Sequence, residues 1–231
     1  MTNETFLLIE NYMKECMGDS AHDKEHIYRV LYTALEIAAT ESGVDYDVLI
    51  TACLLHDIGR KEQFENPKLC HALVGADKAF DFLKNNGFET EFCERVRHCI
   101  AAHRYRRENE PESLEAKILF DSDKTEAAGA IGIARTLLYK GNVGEPLYTV
   151  TPDGKVSDGT GDTAPSFMQE YKYKLEGIYS RFYTAKGGEI ARSRQAAARD
   201  FYNALYGEAS NPYVSGKARL SELFERADNG S

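Results

Sequence analysis

Apolar side chains recur every three to four residues along most of this chain, the spacing that lines one face of an α-helix. Phe6, Ile9, Tyr12, Met13 and Cys16 make the first stripe, and Gly18 followed by Asp19 and Ser20 stops that helix and caps the next. The second helix runs from about Ala21 to Ser42, with Ile27, Leu31, Ala34, Leu35 and Ala38 on one face and Gly43 ending it. Asp45 caps a run from Val48 to Leu55 that is apolar except at Thr51, which reads as a buried helix. Asn66-Pro67 supplies a cap and a first helical position for a fourth helix to about Asn85, with His71 one turn into it. Phe92, Val96, Cys99 and Ile100 stripe a fifth, and His103 continues that stripe inward. A long helix is predicted over roughly Glu112 to Tyr139.

From Lys140 to Pro165 the pattern changes to Gly and Pro punctuation, which predicts an excursion or lid with room for a small hairpin around Leu147 to Val150. Two helices follow, at about Ser166 to Tyr183 and Gly188 to Tyr206, and then a polar tail in which only Leu220 to Phe224 reads as helical. The sum is an all-α chain of about seven or eight helices with almost no strand. Residues 1–207 are expected to form one domain, interrupted by the Gly-rich segment 140–165, and 208–231 a polar C-terminal tail.

Composition narrows the partners. The 231 residues are 42% hydrophobic and 28% charged, ordinary for a globular protein long enough to bury a substantial core. A net charge of -9 argues against nucleic acid or an anionic membrane as the main partner, since both require clustered Lys and Arg. Cys16, Cys53, Cys70, Cys93 and Cys99 show no CxxC spacing and read as reduced thiols of a cytoplasmic protein. The first residues carry no basic leader and no apolar run approaches a membrane span, so neither export nor anchoring is expected. The oligomeric state is not readable.

The chemistry collects at the end of the buried helix, in His56-Asp57. A carboxylate there must be paired, hydrogen-bonded or bound to a metal, and one neighbouring imidazole cannot meet all of its lone pairs. His26 lies just beside the apolar face of the second helix. On the long helix Asp123 shares a face with Ala116, Leu119, Phe120, Ala127 and Ala130, while Asp121 is about 200° away around the axis, so one is placed as a ligand and the other as its neighbour. Two imidazoles and two carboxylates suit Mn, Fe, Co or Ni better than Mg or Zn, and leave positions open on a six-coordinate ion.

The order His26, His56-Asp57, Asp123 on successive helices resembles the HD superfamily of metal-dependent phosphohydrolases. The likeness extends over about residues 1 to 205, through His71-Ala72-Leu73-Val74-Gly75-Ala76, His103 and Asp121-Ser122-Asp123-Lys124, and is greatest to small stand-alone bacterial HD proteins, some of which are nucleotide pyrophosphohydrolases. It implies a single HD-domain helical bundle with His26, His56, Asp57 and Asp123 as metal ligands. It further implies that His71 and His103 bind either a second ion or substrate phosphate. Relatives often carry Asp-Ala-Asp-Arg-Leu-Asp where this chain has Asp121-Ser122-Asp123-Lys124-Thr125-Glu126.

The expected reaction is attack of metal-activated water on a phosphate ester or anhydride, the substrate being a nucleotide or similar small molecule. Asp57 serves as base or orienter, with Arg60 and Lys61 as catalytic cations next to it. Lys124, Arg104, Lys174 and Arg194 are further candidates for phosphate contact. Two other readings are an HD-fold di-iron oxygenase, which needs both His71 and His103 as ligands, and a non-catalytic nucleotide-binding module. His22 and His98 are expected to be solvated.

Overall fold

The computed structural model describes residues 1–17, 24–104 and 109–229. The predicted junction at Gly18 to Ala21, His22, and most of the basic run after Arg104 lie outside them. The chain divides into two compact units, Met1–Glu126 with Phe182–Glu189, and Ala127–Arg181 with Ile190–Ser231.

The first unit is a bundle of α1 (Asn3–Met17), α2 (Lys24–Ala38), α3 (Tyr46–Leu55), α4 (Arg60–Glu65), α5 (His71–Asn85), α6 (Thr90–Ala102) and α7 (Leu114–Thr125). The predicted buried helix is α3, whose residues from Val48 to Leu55 are buried at all positions but Ile50. Its N-cap is Asp45, whose side chain accepts from Asp47 N and Val48 N and so satisfies two of the free amides of the first turn. Helices α2, α6 and α7 pack around α3, and α5 lies on α6.

Three expectations need correction here. The helix foreseen from Pro67 starts at His71 instead, because the Asn66 side chain accepts from Lys68 N and its carbonyl from Leu69 N, closing a turn that holds Pro67 out of the helix. His71 is therefore the first residue of α5. The short α4 between Gly59 and Asn66 was not foreseen, since six residues carry too little periodicity to read. The long helix from Glu112 is two, because α7 stops at Thr125 and Gly129, at φ +67°, opens α8 (Gly129–Asn142).

The backbone of His56 to Gly59 is pressed against the start of α5. A Cβ on Gly59 would stand 2.3 Å from His71 O and 2.6 Å from Gly75 N, and one on Gly75 would stand 3.4 Å from His56 O. Glycine at position 59 lets the turn carrying His56-Asp57 seat against the helix that carries His71, and Gly75 keeps the facing backbone close.

The second unit holds α8, the Gly-rich segment, α9 (Phe167–Glu170) leading into a widened turn closed by Glu176 N to Tyr171 O, and most of α10 (Ala185–Asn229). The hairpin reduces to a single antiparallel bridge between Val150 and Val156 around Gly154 at φ +74°. Phe167, Met168, Tyr171, Val156 and Tyr202 are its buried centre. The helical pattern expected to end near Tyr206 runs on through Pro212 to Asn229, where Ala218, Leu220, Glu222, Leu223 and Glu225 are strong helix formers. Among the described residues, no helix is long and apolar enough to cross a membrane.

Candidate metal centre

Four histidines of the first unit turn the same ring atom inward. His56, wholly buried at the end of α3, places Nδ1 2.7 Å from Cys53 O, and His103, capping α6, places Nδ1 2.6 Å from Ile100 O. A carbonyl only accepts, so each Nδ1 carries the hydrogen and each Nε2 keeps its lone pair. His71 makes the same bond to Gln63 Oε1 at 2.6 Å, and His26 to Glu126 Oε2 at 3.2 Å. Arg29 in turn donates to Glu126 Oε2 at 2.9 Å, fixing that carboxylate.

The inward nitrogens meet carboxylates, and they fall into two groups. His26, His56 and Asp123 form one, and His71, His103 and Asp57 the other, each with ligand atoms close enough to hold a metal ion. His26 Nε2 is 3.2 Å and His56 Nε2 3.9 Å from Asp123 Oδ1. Asp57 belongs to both neighbourhoods. Its Oδ2 lies 3.7 Å from His26 Nε2 and from His56 Nε2, while its Oδ1 lies 3.4 Å from His71 Nε2 and 3.6 Å from His103 Nε2.

Among the described residues the arrangement is short of donors, with Arg60 Nε reaching Asp57 Oδ1 from one side. His26 Nε2 and His56 Nε2 are buried without a hydrogen-bond partner, and His71 Nε2 faces His103 Nε2 at 3.3 Å, nitrogen against nitrogen. Lone pairs and carboxylate oxygens converging in a buried volume repel one another unless a cation or protons sit among them. The donor set of imidazoles and carboxylates fits a divalent ion, and the outward Nδ1 bonds are the support such ligands use.

The titration of these groups reports the same crowding. Burial works against a charged His26, but the carboxylates of Asp123 and Glu126 outweigh it and push its pKa up to about 9. Burial pushes His56 down to about 4. Burial and then the Arg60 charge push His71 down to about 3. Against their own burial, Asp57 is held well below the usual carboxylate range by Arg60 and His56, and Asp123 is held below it by His26.

Of the cations named from sequence, Arg60 donates from Nε to Asp57 Oδ1 at 2.9 Å. Lys61 is exposed on α4. Arg104 follows His103 and has a buried Nη1 without a hydrogen-bond partner. Lys124 stands over the rings of Phe182 and Phe120. Lys174 and Arg194 belong to the second unit, where Lys174 pairs with Glu170 at 3.6 Å and the Arg194 side chain packs on Gly129. His98 is exposed, as expected.

Sequence reasoning missed Gln63 and Glu126, which orient His71 and His26. Glu126 stands three residues after Asp123 on the same helical turn, a spacing that offered a signal; Gln63 lies on α4, which was not foreseen. Asp121, left as a neighbour, is fully buried and accepts from Tyr183 N, Thr184 N and Thr184 Oγ1.

The HD domain family pattern matches residues 24–128. The Bacillus subtilis protein YpgQ is 32% identical over 146 residues, 61% of this chain and 68% of YpgQ. The crystal structure of YpgQ in complex with ADP superposes with a TM-score of 0.68 at 25% identity, covering 88% of this chain and 97% of that one. A structure of a predicted HD superfamily hydrolase from an uncultured Thermotogales bacterium has a TM-score of 0.56 at 27% identity, covering 89% and 92%. An HD-superfamily hydrolase from Bacillus thuringiensis gives 0.66 at 25% identity, covering 89% and 96%.

Proposed function

The chain belongs to the HD domain family, and on that premise we propose that it is a cytoplasmic, metal-dependent phosphohydrolase that cleaves a phosphate ester or anhydride of a nucleotide or similar small molecule. The observation that carries the reading is the convergence of four imidazole Nε2 atoms on the carboxylates of Asp57 and Asp123, with those of His26 and His56 buried without a hydrogen-bond partner. His26, His56, Asp57 and Asp123 would hold one ion, and His71 and His103, reached by the other oxygen of Asp57, would hold a second ion or meet substrate phosphate. Mn, Fe, Co or Ni suits this set better than Mg or Zn. Such an ion supplies Lewis acidity, polarising a phosphoryl oxygen and acidifying a water near neutral pH.

The protein's own part is to hold charge in place. Asp57 stays ionised at neutral pH and orients an attacking water through whichever oxygen faces it. Arg60 anchors that carboxylate through Nε and adds positive charge beside it for a phosphate to meet. Nucleotide binding is supported by the ADP complex of YpgQ, and the cytoplasm by five free cysteines.

The test is elemental analysis of the purified protein together with phosphate and pyrophosphate release from a nucleotide panel under Mn. Turnover with bound metal, lost along with the metal in His56→Ala and Asp57→Ala while the helical signal stays, is the expected result. Stoichiometric metal retained in either variant would refute the ligand assignment. The six-residue set also supports a second reading, an HD-fold di-iron oxygenase, because Asp57 divides its oxygens between the two groups. Two irons per chain without phosphate release would favour it. Metal or nucleotide binding without any turnover would favour a non-catalytic module.

A further inference from the structure

After leaving the first unit at Glu126 the chain returns to it for one stretch only, Phe182–Glu189. Asp121 fastens that stretch to α7: its carboxylate accepts from Tyr183 N at 3.0 Å, Thr184 N at 2.7 Å and Thr184 Oγ1 at 2.6 Å. Gly187 completes the seat, since a Cβ there would stand 2.9 Å from Asp121 Cβ and 2.8 Å from Thr184 Oγ1. Three hydrogen bonds and one close backbone approach thus hold the returning strap on α7.

Its position follows from helix geometry. At about 100° per residue, Asp123, Phe120, Lys124 and Asp121 succeed one another around the axis of α7. Asp121 and Asp123 thus stand on nearly opposite sides of α7, and the strap pinned at Asp121 reaches across to Phe120, the residue one turn before Asp123. There Lys124 Nζ stands 4.5 Å from the centre of the Phe182 ring and 5.6 Å from that of Phe120. The Tyr183 ring meets buried Phe120 edge to face at 5.1 Å and is itself 40% exposed. Fastening the strap accounts for the backbone bonds; it does not call for an aromatic ring held half in solvent against Phe120, one helical turn from a metal-binding carboxylate.

We propose that Tyr183 and Lys124 are specificity-determining residues of the metal centre, the Tyr183 ring stacking on a planar heteroaromatic group of the substrate and the Lys124 ammonium meeting its phosphate, with Asp121 as the positioning residue for both. The inference rests on the phosphohydrolase reading and names the organic part of its substrate. Aromatic rings serve this purpose because every nucleobase offers a π face, and the ammonium adds a charge that a base-free phosphate also feels.

Calorimetric binding to the manganese-loaded full chain separates these contributions, using α,β-methylene ADP and its base-free counterpart, methylenediphosphonate. Tyr183→Ala is expected to weaken the nucleotide analogue about ten- to a hundredfold and leave the diphosphonate within about twofold. Tyr183→Phe keeps the nucleotide affinity, Lys124→Met weakens both ligands, and Asp121→Asn loses nucleotide affinity with manganese content unchanged. Equal effects of Tyr183→Ala on both ligands, no effect on either, or a wild-type protein that binds the nucleotide analogue no better than the diphosphonate would overturn the proposal. Phosphate and pyrophosphate release from ADP is measured in parallel: analogue binding that depends on Tyr183 without any release would sink the hydrolase reading and leave the stacking residue standing.

Discussion

Loading a divalent ion on His26, His56 and Asp123 must evict a proton. Without the ion, the carboxylates of Asp123 and Glu126 raise His26 from 6.5 to about 9. A rise of that size corresponds to about 3 kcal/mol favouring the protonated ring, at about 1.4 kcal/mol per unit. The sign follows: in the metal-free protein this stabilisation is complete below pH 6.5 and is lost as pH rises through about 9. At pH 7 the ion therefore displaces about one proton from His26 Nε2, and its apparent affinity climbs about tenfold per unit until pH 9, then levels. Isothermal titration with manganese in buffers of different ionisation enthalpy reads the proton count directly. Glu126→Gln removes one of the carboxylates that hold the proton, so fewer protons are released at pH 8. The same change leaves His26 a weaker ligand and lowers affinity above pH 9 by about ten- to a hundredfold. Manganese binding at pH 7 with no proton release, or a pH-independent affinity, would refute the assignment of His26 as a ligand supported by Glu126.

Three further outcomes are expected. Gly59→Ala forces the His56–Gly59 turn away from His71 O and Gly75 N, costing about 1–3 kcal/mol in urea denaturation and weakening metal at the His71, His103 and Asp57 group first; an unchanged midpoint would mean that the contact relaxes freely. Metal-free protein loses stability as pH falls from 6.5 toward 4, because His56 and His71, pushed down to about 4 and about 3, protonate in the unfolded chain before the folded one; a urea midpoint flat over that window would contradict their placement. Asp123→Ala removes bound metal while Asp121→Ala retains most of it, and elemental analysis showing the reverse order would exchange their roles.

Helical periodicity made the elements around the site legible, and the ordered set His26, His56-Asp57 and Asp123 named side chains that the fold brings together. What escaped has physical causes. The break after Thr125 depends on Gly129 adopting a positive φ, and within the run Ala127-Ala128-Gly129-Ala130 nothing in the local composition requires it. Gln63 and Glu126 act on the far side of each imidazole, so their role depends on which ring nitrogen turns inward, a matter of packing rather than of spacing. The carbonyls of Cys53 and Ile100 do the same work and leave no trace in side-chain identity. Asp121 and Asp123 were separable by face but not by task, because the partners of Asp121 come from a segment more than sixty residues later.

That separation sets an order of events during synthesis. Asp121 and Thr184 are 63 residues apart, which at typical elongation rates is roughly 3 to 13 seconds of translation. Through that interval the emerging bundle already has every histidine and aspartate of the candidate metal centre, yet carries at Asp121 a carboxylate whose donors do not exist. A nascent chain thus presents every residue of the candidate centre before the strap that fastens to Asp121 has been made.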